Sequence, residues 1–106
     1  MRSARLTGTD RKLMRYQEQL RQELPGLRAK FHVRTLGVFG SYVQGTAKKK
    51  SDLDLLVEFS RTPGLLEFIQ CEQYLSDRLG VKVDLVMKET LKPRIGQRIL
   101  REVVGL

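Results

Sequence analysis

Residues 37–59 read GVFGSYVQGTAKKKSDLDLLVEF, and the fold turns on how that stretch is parsed. Gly40 and Ser41 close one apolar run, and Asp52 and Asp54 open another. On a strand alternate residues share a face, which puts Leu53, Leu55, Val57 and Phe59 on one side and Asp52, Asp54, Leu56 and Glu58 on the other. A carboxylate almost never enters a core unpaired, so the two aspartates either turn to water or hold something positive.

Upstream, the β-branched and apolar run Val33–Phe39 predicts a strand that Gly40 breaks, and residues 41–46 suit a short helix. Before it, residues 10–24 set Leu13, Leu20 and Leu24, with Tyr16 between, on one stripe of a charged helix. Asp10 suits its N-cap, and Pro25 with Gly26 should stop it. Downstream, a turn at residues 61–64 leads into a predicted helix over 64–79, with Leu65, Phe68, Leu75 and Leu79 along one side and Gly80 as its stop. Residues 81–87, VKVDLVM, predict a third strand with Val81, Val83, Leu85 and Met87 on one face and Lys82, Asp84 and Val86 on the other. Pro93 then opens a last helix whose stripe is Ile95, Ile99 and Val103, with Leu100 and Val104 beside it and Gly105 past its end. The order predicts an α/β fold, one small mixed sheet covered by helices.

A chain of 106 residues suits one domain, divided into a basic N-terminal arm and helix (1–32) and a core (33–106). No apolar run approaches the roughly 20 residues that span a bilayer, and the N-terminus lacks the apolar segment of a secretory signal, so a cytoplasmic protein without membrane contact is expected. The lone Cys71 excludes an internal disulfide or a multi-cysteine zinc site and reads as a packed thiol on a helix; the lone His32 cannot build a histidine cluster. Any metal must therefore take oxygen ligands, which favours magnesium or manganese. The net charge of +8 is uneven: residues 1–34 hold nine basic and three acidic side chains, residues 35–106 eleven and nine. Such a patch can steer polyanions, nucleotides or an acidic partner, or simply aid solubility. Direct nucleic-acid binding ranks last, since no stacked aromatics accompany the charge.

Asp52 and Asp54 leave the same strand face with α-carbons about 7 Å apart, and Asp84 joins them if the third strand lies beside the second. Three such charges repel one another unless cations sit among them. Carboxylates with phosphate oxygens are what magnesium takes, and two ions serve phosphoryl or nucleotidyl transfer. Gly40 lets backbone approach a ligand, Ser41 and the amides of a helix start can hold phosphate oxygens, and Gly45 relaxes the same loop. Alone, each element also fits an ordinary turn or a solvated strand edge; their joint order is what points to a triphosphate.

Gly40 and Ser41, ten residues, Asp52, one residue and Asp54 resemble the signature of the DNA polymerase beta-like nucleotidyltransferase superfamily, and residues 40–59 look like its minimal nucleotidyltransferase branch. The likeness runs from about residue 33 to the C-terminus, through VKVDLVMKETLKPRIGQRILREVV. It implies Asp52 and Asp54 as ligands of two catalytic Mg2+ ions, with Mn2+ as the alternative. It further implies Asp84 as third metal-binding acid and candidate base, and Gly40 and Ser41 as contacts to the phosphates of ATP or another nucleoside triphosphate. Members of that branch act as antitoxins beside a HEPN-domain ribonuclease, some by moving AMP onto one of its tyrosines. One departure stands out: where many relatives carry a small residue and then arginine, this chain has Val43 and Gln44, and Lys48, Lys49 or Lys50 either substitutes or forms a solvated turn. The rival readings are a catalytically weak antitoxin that neutralises a HEPN partner by occlusion, and a basic nucleic-acid binder. The oligomeric state, a second copy of the chain included, stays open.

Overall fold

A computed structural model describes residues 8–106. In chain order come α1 (Gly8–Phe31), β1 (Val33–Phe39), α2 (Ser41–Gln44), β2 (Leu53–Phe59), α3 (Leu65–Leu79), β3 (Val83–Met87), a single 3₁₀ turn (Lys88–Thr90), α4 (Pro93–Glu102) and β4 (Val104–Gly105). The four strands form one mixed sheet in the order β3-β2-β1-β4, with β2 and β3 parallel and the other two pairings antiparallel. The expected α/β architecture is present. The arm over residues 1–7 lies outside the described residues.

Alternation decides the two faces. Leu53, Leu55 and Val57 of β2 and Val38 of β1 are fully buried against Leu20 and Leu27 of α1 and Cys71 and Leu75 of α3, so this face carries the main core. The opposite face holds a smaller cluster of Phe39, Leu56 and Ile99, with Val86, Leu91 and Val103 beside it under α4. Cys71 is the packed thiol its helical position predicted; burial, aided by Glu67 and Glu72, pushes it up to about 12.

Four expectations need correction. Helix α1 continues through Pro25 to Phe31, because Leu24, Leu27 and Phe31 are all buried and their packing outweighs the one backbone bond that proline removes. Asp10 lies inside α1 and is not its cap. The helical stripes are narrower than their periodicity suggested: Leu65, Ile95, Leu100 and Val104 are exposed. Gly105 does not merely trail the last helix. It pairs with Gly37 while Val104 pairs with Val38, making a fourth strand, and Leu106 N–H donates to Leu36 O at 3.2 Å.

That fourth strand needs a glycine opposite it. A Cβ on Gly37 would stand 2.5 Å from Val103 Cγ2 and 3.2 Å from Val104 O. Gly37→Ala is therefore expected to push β4 outward and to destabilise the chain by about 1–3 kcal/mol. Urea unfolding measures this, and an unchanged midpoint would mean β4 contributes nothing.

Candidate active site

The parallel register of β2 and β3 sets Asp54 directly beside Asp84, and adjacent strands lie about 4.8 Å apart. Neighbours in the same register, Leu53 with Val83 and Leu55 with Leu85, are buried, so both acids point to the other side of the sheet. Asp84 is exposed and Asp54 half-buried. Asp52 immediately precedes β2, and its carboxylate leans toward Lys82, with Nζ 3.9 Å from Oδ2. Among the described residues no three His, Cys, Asp or Glu side chains already stand as a metal-ready group. The backbone thus brings Asp54 and Asp84 together and leaves Asp52 alongside, turned to a lysine.

Across the site, Phe39 of β1 is the register partner of Asp54, so the chain leaving β1 passes over that carboxylate. The next residue, Gly40, has φ +79° and ψ −151°, and a Cβ there would collide with Asp54 Oδ2. Glycine is required twice over, by its backbone angle and by the space that Asp54 occupies. Ser41 then opens the four-residue α2, whose end is marked by Gly45 at φ +77°. Buried Tyr42 anchors this turn from below, edge-on against Tyr16 of α1 with ring centroids 5.5 Å apart. The glycine-serine turn and the paired acids therefore meet in space.

One participant was not visible in the sequence. Glu102, at the end of α4, accepts Gly40 N–H at 3.1 Å and Gln44 Nε2–H at 2.7 Å. Gln44 is thus a neutral donor tied to a carboxylate. Lys48, Lys49 and Lys50 are exposed, and Lys48 N–H donates to Ser51 Oγ at 2.7 Å. His32 lies at the entry to β1, with Nε2 3.0 Å from Arg61 Nη2, and takes no part.

Burial first, and then the charges of Asp84, Asp52 and Glu102, raise the Asp54 carboxyl from its ordinary value to about 6. A half-buried carboxylate in an acidic field is a place where positive charge is stabilised. The donor set fits a hard divalent cation, which takes oxygen ligands.

The nucleotidyltransferase domain family matches residues 15–105. The chain belongs to that family. As a nucleotidyltransferase it is 58% identical over 78 residues to the protein adenylyltransferase MntA of Thermococcus cleftensis, spanning 74% of this chain and 79% of the relative. A solved structure of a proposed minimal nucleotidyltransferase is 33% identical, with a TM-score of 0.71 over 97% of this chain and all of the other. The same fold recurs, at 21% identity and a TM-score of 0.64, in the complex of a tri-AMPylated Shewanella oneidensis HEPN toxin with its MNT antitoxin, covering 85% of this chain and 70% of that one. Nucleotidyltransferases generally use divalent metal ions. The match begins within α1, upstream of the residue near 33 where the resemblance in sequence starts.

The raised Asp54 carboxyl has a consequence for stability. The folded chain binds this proton more tightly than the unfolded chain does, so the group's contribution is most favourable below its ordinary value of 3.8 and is lost as pH rises through about 6. Wild-type melting temperature should fall relative to Asp54→Asn between about pH 4 and about pH 7. Thermal unfolding of both proteins across that range checks this; parallel profiles would contradict the coupling.

Proposed function

We propose that this nucleotidyltransferase moves AMP from ATP onto a hydroxyl of a protein, in particular a tyrosine of a HEPN-domain ribonuclease, and so acts as an antitoxin. The observation that carries the reading is the register that sets Asp54 beside Asp84 under the side-chain-free Gly40. The MntA relative, named a protein adenylyltransferase, supports AMP transfer to protein. The MNT–HEPN complex of the same fold supports the class of partner. Leu65 and Leu66, 78% and 69% exposed at the start of α3, offer such a partner apolar surface to cover.

In this scheme Asp52, Asp54 and Asp84 hold Mg2+, two ions with Mn2+ as a substitute. Bound there, the metal would supply the positive charge that offsets the triphosphate and the departing pyrophosphate. Gly40 and Ser41 position the phosphates, and Asp84, the most open of the acids, accepts the proton of the acceptor hydroxyl. The acceptor oxygen bonds to the α-phosphorus, the bond to the bridging oxygen breaks, and pyrophosphate leaves. Orientation and charge stabilisation supply most of the acceleration, as is usual for phosphoryl chemistry.

A second reading, occlusion of the partner with little turnover, is favoured by the neutral Gln44 in place of arginine and by the pairing of Asp52 with Lys82. Labelled ATP, Mg2+ and a HEPN protein encoded beside this chain separate the two. Transfer should occur, should stop on chelation of the metal, and should fall at least about a hundredfold in Asp54→Asn. Neutralisation of the partner by Asp54→Asn at wild-type level, with no label incorporated by either protein, would instead establish occlusion.

A further inference from the structure

Glu102 uses both carboxylate oxygens on a single turn. Oε1 accepts the Gly40 amide at 3.1 Å and Oε2 the Gln44 side-chain amide at 2.7 Å, so the two ends of residues 40–44 are gripped by one side chain from about sixty residues away. The turn's other links lie at its middle and its end: Val43 and Gln44 N–H return to Gly40 O, Gly45 and Thr46 N–H to Ser41 O, and buried Tyr42 packs against Tyr16, while no side chain caps α2 and only Glu102 accepts the Gly40 amide. Gly40 is the residue with the widest choice of backbone angles, yet it must keep the one value that clears Asp54. An external clamp on its amide removes that choice.

The clamp is itself anchored. Val103 N–H donates to Ile99 O at 2.9 Å, and Val104 and Gly105 pair with Val38 and Gly37 of β1, the strand that runs directly into Gly40. Contacts therefore close a ring: β1 leads to Gly40, Gly40 to Glu102, and Glu102 through β4 back to β1. Each oxygen of the half-buried carboxylate thus receives an N–H donor from the turn.

We propose that Glu102 is a positioning residue of this nucleotidyltransferase, holding residues 40–44 in the one geometry that keeps Gly40 against the Asp54 carboxylate and Ser41 at the start of α2. Its effect on nucleotide rests on the reading that Gly40 and Ser41 meet the phosphates; its effect on the turn does not. Glu102 works through the turn and touches no reacting atom.

Wild type, Glu102→Ala and Glu102→Gln distinguish this role from general stability. Amide exchange is followed at Gly40 and Ser41, and binding of an unreactive ATP analogue with Mg2+ by calorimetry. In Glu102→Ala, exchange at Gly40 should quicken by about tenfold or more while strand β2 stays protected, and analogue affinity should drop about tenfold. Glutamine keeps one acceptor for Gly40 and an amide for the Gln44 side-chain oxygen, so Glu102→Gln should stay within about threefold of wild type on both readouts. Should Glu102→Ala fail to fold, Gln44→Leu, which removes only one donor, is expected to lose about threefold in affinity and to speed exchange at Gly40. Unchanged exchange and affinity in the folded alanine variant would overturn the proposal. If wild type binds no analogue, the nucleotide reading fails, and the exchange comparison alone still decides whether the clamp exists.

Discussion

The structure rests on a forced proximity of like charges. Apolar packing on one face of β2 and β3 dictates their register, and that register places Asp54 beside Asp84 on the other face. Two carboxylates leaving one face of neighbouring strands repel each other, and the partial burial of Asp54 adds to the cost of its charge. Burial of Leu53, Leu55 and Val57, all fully inaccessible, contributes about 1.5–3 kcal/mol for each side chain. The core wins, and the repulsion is left in place as a demand for positive charge.

Helix α3 maintains that register from outside. Strand β3 is an edge, and its free amides would otherwise invite a further strand. Instead Val83 N–H donates to Ser76 Oγ at 3.0 Å and Leu85 N–H to Glu72 Oε2 at 2.9 Å. These two bonds flank Asp84 in the chain. Side chains of α3 thus do what a fifth strand would have done, without covering the acid face.

What could be read from the sequence depended on how local its cause is. β1, β2 and α3 lie close to where periodicity placed them, because each is decided by residues two to four positions apart. Alternation also assigned Asp54 and Asp84 to the face opposite the leucines and valines, but their meeting needed β3 to lie beside β2, which the sequence left as a condition and the fold supplies. The extension of α1 past Pro25 was not legible, since the evidence for it is the burial of Leu27 and Phe31 against strands that follow in the chain. β4 is only two residues long and owes its existence to a partner more than sixty positions away, with Gly37 making the space. Glu102 escaped notice because one acid near the end of a basic helix has no pattern; only the fold reveals that it faces Gly40.

Global and local electrostatics act against each other here. The chain carries +8, a surplus of six of it within residues 1–34, yet Asp52, Asp54, Asp84 and Glu102 gather around one turn where Lys82 pairs with Asp52. A nucleoside triphosphate is drawn toward such a protein at long range, where net charge sets the field, and repelled in the last few ångströms, where the carboxylates do. Both tendencies are satisfied only if positive charge arrives with the nucleotide. The neutral Gln44 sharpens that dependence: an arginine there would carry its own charge to the turn, whereas the amide donates to Glu102 and leaves the acidic field intact.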